Sequence, residues 1–160
     1  MTDVLGKTLP VEGSETYRDI WAQTLEEALV QLGLYAGAQH VTFSFPTTEA
    51  MVTGDGQAKV IIPAIMNGLD LTSISAIVAT AGTTGTCDIQ IHNETDGVDM
   101  LSTVLTIDSG ETSSATAATP AVIDTSNDDI ATNDVLRLDV DAVHTTEALG
   151  LVVVLEFRYP

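Results

Sequence analysis

The sequence predicts a mainly β protein: a β-sandwich or jelly roll over residues 40–160, preceded by an arm and one amphipathic helix within residues 1–39. Three observations predict it. The closing stretch Asn133 to Pro160 carries strand periodicity. From Val41 onward, short apolar runs alternate with Gly, Pro and Asn turn clusters at a spacing of about eight to twelve residues. Only one stretch, near the N terminus, has apolar residues at helical steps.

The closing stretch organises the rest. Val135, Arg137, Asp139 and Asp141 fall on one face of an extended chain, and Leu136, Leu138, Val140 and Ala142 on the other. Leu149 to Phe157 is apolar on both faces until Glu156, which suits a strand covered on both sides or one that meets a partner chain. His144 to Glu147 between them is polar and turn-compatible, so the two runs read as a β-hairpin on which the upstream strands pair or pack.

Taken in order, Met1 to Gly13 carries Pro10 and Gly13 and no periodicity, and reads as an extended arm. From Ser14 the pattern changes. Tyr17, Ile20, Trp21, Leu25, Ala28, Leu29 and Leu32 form one stripe of a helix over about residues 15–33. Ser14 caps its first turn, Glu15 and Asp19 suit its positive end, and Gly33 terminates it. The stripe either covers the β domain or packs on its own copies or a neighbouring protein. Tyr17, Ile20, Trp21, Leu25, Leu29 and Leu32 are therefore the candidate interface residues.

The β pattern starts at Val41 to Phe45, closed by Pro46. Thr53 to Gln57 reads as a turn cluster, and Ala58 to Met66 as a strand with Pro63 at a kink, edge or bulge. Leu69, Leu71 and Ile74 lead into a buried strand at Ile77 to Thr80. Cys87 to His92 alternates, with Cys87, Ile89 and Ile91 inward and Asp88, Gln90 and His92 outward. A polar loop at Asn93 to Gly97 precedes a short strand at Leu101 to Ile107. Asp108 to Thr119, built of Ser, Thr, Ala and Gly, reads as a solvated loop or a flat edge strand. Val122 and Ile123 and an acidic loop from Thr125 to Asn133 complete the chain, for seven or eight strands in all.

Charge is lopsided, with 23 Asp and Glu against 5 Lys and Arg and a net charge of -18. Such a chain repels phosphate backbones and anionic membranes, so neither nucleic acid nor membrane is an expected partner. One cysteine, Cys87, permits no intrachain disulfide. The first residues lack the apolar run of a signal peptide, and no apolar stretch approaches the ~20 residues of a membrane span. These features predict a soluble protein made in the cytoplasm.

No reactive constellation emerges. His40, His92 and His144 read as exposed loop or strand-end histidines without ligand spacing, and Cys87 as a core residue. Asp128, Asp129 and Asp134, and Asp139 with Asp141, read as a solvated acidic face, since they lack the spacing of a Ca²⁺ loop. Asn93-Glu94-Thr95 matches a glycosylation triplet with no secretory signal beside it. The expectation is a non-enzymatic chain with no cofactor and no metal.

A resemblance sharpens this. Four features occur in sequence: the Val60-Ile-Ile-Pro63 strand with the Leu71-Thr-Ser-Ile-Ser75 run, the Asp88 to Ile91 strand, the Ser/Thr/Ala stretch at 112–119, and Asp134 to Asp141 ahead of a Leu-rich terminal strand. Together they make Val60 to Phe157 resemble a β-rich module of tailed-bacteriophage virion proteins, among them head-associated and tail-fibre proteins. Family members often carry a Gly-Asp-Val-Leu turn where this chain has Asn133 to Leu136, and a tryptophan in the second strand that is absent here. The resemblance implies a virion structural protein, a capsid decoration (cement) or head-fibre protein attached by its N-terminal arm and helix. Its partners would be its own copies, a trimer foremost, and the major capsid protein. The alternative it implies is a tail fibre or receptor-binding module that meets host glycans through loops such as Asn93 to Asp99.

Overall fold

The computed structural model describes residues 37–160. The arm, the helix predicted over residues 15–33 and its stripe of Tyr17, Ile20, Trp21, Leu25, Leu29 and Leu32 lie outside these residues.

The described chain is mainly β, with eleven strands and no α-helix. In order they are β1 (Gln39–Ser44), β2 (Gly54–Ile61), β3 (Leu69–Thr80), β4 (Thr86–Asn93), β5 (Val98–Asp99) and β6 (Leu101–Thr103). Then follow β7 (Leu105–Asp108), β8 (Val122–Ile123), β9 (Asp129–Ile130), β10 (Val135–Ala142) and β11 (Leu149–Arg158). Two antiparallel sheets hold nearly all of them. The first has the order β1-β11-β3-β9, and the second β2-β10-β4-β5 with β7 also on β4; β6 and β8 form a separate pair. The long strands β1 to β4 alternate between sheets as the chain advances, and β10 and β11 then return to the second and first: β1, β3 and β11 lie in the first, β2, β4 and β10 in the second.

Period-two patterning explains why these sheets share one core. Val41 and Phe43, Leu69 and Leu71, and Leu151, Val153, Leu155 and Phe157 are buried from the first sheet. Cys87, Ile89 and Ile91, with Leu136, Leu138 and Val140, are buried from the second. All belong to a single apolar cluster, each large side chain contributing about 1.5–3 kcal/mol by leaving water. The inward positions of β4 and β10 are those their alternation predicts.

The closing hairpin does not form. β10 pairs β2 and β4, whereas β11 pairs β1 and β3, so the link between them crosses from one sheet to the other. The link finds its backbone partners elsewhere. Thr145 N–H donates to the Thr84 carbonyl at 2.9 Å and Thr83 N–H to the Thr146 carbonyl at 3.0 Å. A polar tetrapeptide is compatible with both outcomes; the neighbouring 81–85 turn decides between them.

Other boundaries move for local reasons. The Thr53–Gln57 cluster lies mostly within β2, because Gly56 N–H has a partner in the Asp139 carboxylate, 2.6 Å away. Beyond Pro63, Ala64–Met66 is a 3-10 turn, not strand: proline cannot donate to a ladder. The stretch from Leu101 to Ile107 breaks at Val104 into β6, which pairs β8, and β7, which pairs β4. Ile77, read as buried, is 54% exposed, since β3 is one long strand and its inward positions there are Ala76 and Val78. Asn133 adopts φ 72°, the left-handed conformation that glycine holds most easily and asparagine next.

Candidate functional site

The two sheets share a core but turn different chemistry outward. Opposite the core, the first sheet presents three cross-strand rows set by register: Ser44, Val152 and Ile77; Thr42, Val154 and Ser75; His40, Glu156 and Ser73. Only the last row carries charge. There His40 Nε2 lies 3.5 Å from Glu156, and Arg158 Nε donates to the same carboxylate at 2.6 Å. The Arg158 hydrogen bond holds the Glu156 carboxyl below its ordinary range. The other two rows are neutral, small or β-branched. In the sequence the alternation of Val152 and Val154 with buried Leu151, Val153 and Leu155 looked like a strand covered on both faces; the outer valines are half-buried within the sheet.

The second sheet is the opposite. Register places Lys59, Arg137, His92 and Asp99 side by side across β2, β10, β4 and β5. Lys59 Nζ donates to Glu94 at 2.7 and 2.8 Å, which lowers the Glu94 carboxyl. Arg137 Nε donates to Asp139 at 3.0 Å and its terminal nitrogen to Asp55 at 3.2 Å. His92 Nδ1 lies 2.6 Å from Asp99. Asp139, 4% exposed, therefore meets both Arg137 and the Gly56 N–H. Asp141 has no cation partner among the described residues. Burial first, then the charges of Asp139, Asp99, Asp55 and Asp88, push its carboxyl above the usual range. Each Lys and Arg among the described residues, Lys59, Arg137 and Arg158, is committed to a carboxylate, and most of the seventeen Asp and Glu there have no Lys or Arg partner among the described residues.

Several residues weighed from the sequence have structural duties. Asn93 is buried: its amide donates to Asp96 at 2.9 Å and Asp134 at 3.1 Å, and its carbonyl accepts from Thr95 N–H. That removes it as a glycosylation acceptor and as a glycan-binding tip. Asp134, read with the solvated acidic face, is buried and also accepts from Ala131 N–H at 2.8 Å. Cys87 lies in the core, where burial pushes its thiol up to about 11; a protonated thiol is a poor nucleophile. The histidines depart most from expectation. His92 is half-buried, and His144 is 1% exposed with neither ring nitrogen bonded. Its ring lies over Gly82, where a Cβ would come within 2.3 Å of it. Nothing local in the sequence distinguishes this histidine from a loop one. Among the described residues, no group of three or more His, Cys, Asp or Glu could hold a metal ion.

Comparison with protein-family models, with curated proteins and with solved structures finds no match for this chain.

Proposed function

We propose that this chain is a non-enzymatic structural protein of a tailed-bacteriophage virion, a capsid decoration or head-fibre protein. For the β body the reading is a jelly-roll sandwich, which the order β1-β11-β3-β9 against β2-β10-β4-β5 supports. Residues 1–39, where the sequence predicts an amphipathic helix, make the attachment to the major capsid protein. The body self-associates, as a trimer, through the outer face of the first sheet.

The observation that carries the reading is the neutrality of that face. Copies of a chain with net charge -18 repel each other over most of their surface. They can approach closely only where charge is absent, and the rows through Val152, Ile77 and Val154 provide such a patch. A neutral patch with Ile77 exposed at its edge, on an otherwise charged surface, is where association is expected.

Light scattering on the full chain, on residues 39–160 and on Ile77→Asp and Trp21→Ala tests this. A trimer that Ile77→Asp dissociates, with an unchanged circular-dichroism spectrum, supports the face; loss on removing residues 1–38 or in Trp21→Ala supports the helix. A monomeric wild type sinks the trimer. For the virion assignment, the full chain is added to undecorated phage heads: binding that raises their resistance to heat supports it, and absence of binding, with signal on a glycan array, replaces it with a tail receptor-binding role.

A further inference from the structure

The outer edge of β3 is a strand edge with a piece missing. At one end Ala76 N–H donates to Ser114 Oγ at 2.9 Å and Val78 N–H to the Thr112 carbonyl at 3.0 Å; Ile77 forms an antiparallel bridge with Ser113. At the other end β9 pairs Leu69 and Asp70, and Leu71 N–H donates to the Asp128 carbonyl at 2.8 Å. Between them the chain leaves the edge at Ala115 and rejoins it at Asp128. The N–H groups of Ala76 and Val78 point away from β11. Alternation along an antiparallel strand therefore sends the N–H and C=O of Ile74 to the same side, where no strand among the described residues pairs with it.

The gap opens into a cavity of about 360 Å³. Thr72, Ser73, Ser75 and Ser114 line it together with apolar residues that include Ile74, Leu105 and Ala115. The lining is uncharged and carries no aromatic ring, so it offers no stacking platform for a sugar but does offer small side chains and free main-chain groups. One end is acidic. Asp70 stands opposite Asp129. Burial, with the charges of Asp128 and Asp129, raises its carboxyl.

We propose that this gap binds an extended peptide segment by strand addition, the peptide completing the β3 edge between Ser114 and Asp128. Its main chain would bond the N–H and C=O of Ile74, as peptides do in other sheet-edge recognition. Residues filling the cavity must be small or β-branched. A Lys or Arg at the peptide end beside Asp70, Asp128 and Asp129 is selected by charge. The segment's ends are defined by the protein's own extended stretches on either side, which fix its length and its antiparallel sense. This does not rest on the virion reading: it depends on the open edge of β3, which borders the outer face of the first sheet at Ser73 and Ser75.

The test uses the full chain with a library of N-acetylated, C-amidated pentapeptides, having Thr, Val, Ser or Ala at the first four positions and Lys, Gln or Glu at the last. Fluorescence anisotropy measures affinity, and NMR-detected hydrogen exchange follows the Ile74 amide. The expected result is binding of Lys-ended peptides about threefold to tenfold tighter than Glu-ended ones, with slowed exchange at Ile74. Asp70→Asn combined with Asp128→Asn should erase the Lys preference, and Ala115→Trp, which fills the cavity from an exposed position, should abolish binding without altering the circular-dichroism spectrum. Slow Ile74 exchange in the free protein, no binding by any member, or equal binding by Ala115→Trp would each overturn the proposal. So would exchange protection by neutral oligosaccharides in place of peptides.

Discussion

The two sheets make a controlled comparison within one molecule. Their inner faces are interchangeable in kind: Leu, Val, Ile and Phe at every second position, joined in one cluster. Their outer faces differ completely. The second sheet carries Lys59, Arg137, His92, Asp55, Asp139, Asp99 and Asp141 in a network where every cation is paired. The first carries Thr, Ser, Val and Ile over two of its three rows. A core requires only that one face be apolar; the other face is free to suit water or a neighbour. That the charge of so acidic a chain is excluded from two of the three rows of one face is the property behind the proposed association there.

Breaking the shared inner face should have the largest effect. Phe157→Ala removes a fully buried ring and should cost about 3–5 kcal/mol, read as a lower urea midpoint for the whole β body. If the loss is under about 1 kcal/mol, the face is less tightly packed than its burial implies.

Next is the anchor of the charged face. Asp139→Ala leaves the Gly56 N–H without its 2.6 Å acceptor, at a cost of about 1–3 kcal/mol, and also unpairs Arg137 from its nearer carboxylate. The equivalent disruption on the neutral face, Thr42→Ala, should stay within about 0.5 kcal/mol by denaturant melts. Equal losses in the two variants would erase the distinction between the faces.

A smaller effect has a sign that distinguishes the carboxylates. Asp141 has its folded-state carboxyl raised, so the folded protein takes up that proton more readily than the unfolded chain. Its ionisation therefore destabilises the fold at neutral pH, and the penalty is relieved as pH falls through the raised value. Asp141→Asn should raise Tm at pH 7, with the gain shrinking on acidification and vanishing below the ordinary aspartate range. Glu94, lowered by Lys59, runs the other way: its contribution is present at neutral pH and lost as pH falls through the folded-state value. A gain for Asp141→Asn that persists at pH 3 would refute the charge-crowding account.

The smallest effect is expected at the exposed pair itself. Lys59→Ala removes the contact to Glu94, but water screens both groups. No resolvable change in Tm is expected, and a clear loss would show that the charged face acts as one cooperative network.

By itself the sequence determined the mainly β class, most strand positions and the inward faces of β1, β4 and β10, whereas the two-sided apolar run of β11 left its inward face open. Those follow from a period of two in single strands, which is local information. Asn133, which adopts the left-handed conformation, is set at a glycine position only by the family resemblance, not by local pattern. Tertiary structure alone decided which strands pair. The link from Ala142 to Leu149 suits a hairpin and a sheet-to-sheet crossing equally, and its partner is the distant 81–85 turn. The same holds for polar groups. Asn93, Asp134, Asp139 and His144 look like loop or surface residues in isolation, and all four are buried. For the first three the reason is a partner far along the chain that satisfies the buried group. His144 is enclosed because Gly82, with no Cβ, leaves room for its ring. The open edge of β3 is likewise invisible in sequence, because it depends on where residues 115–127 leave a neighbouring strand and where they return.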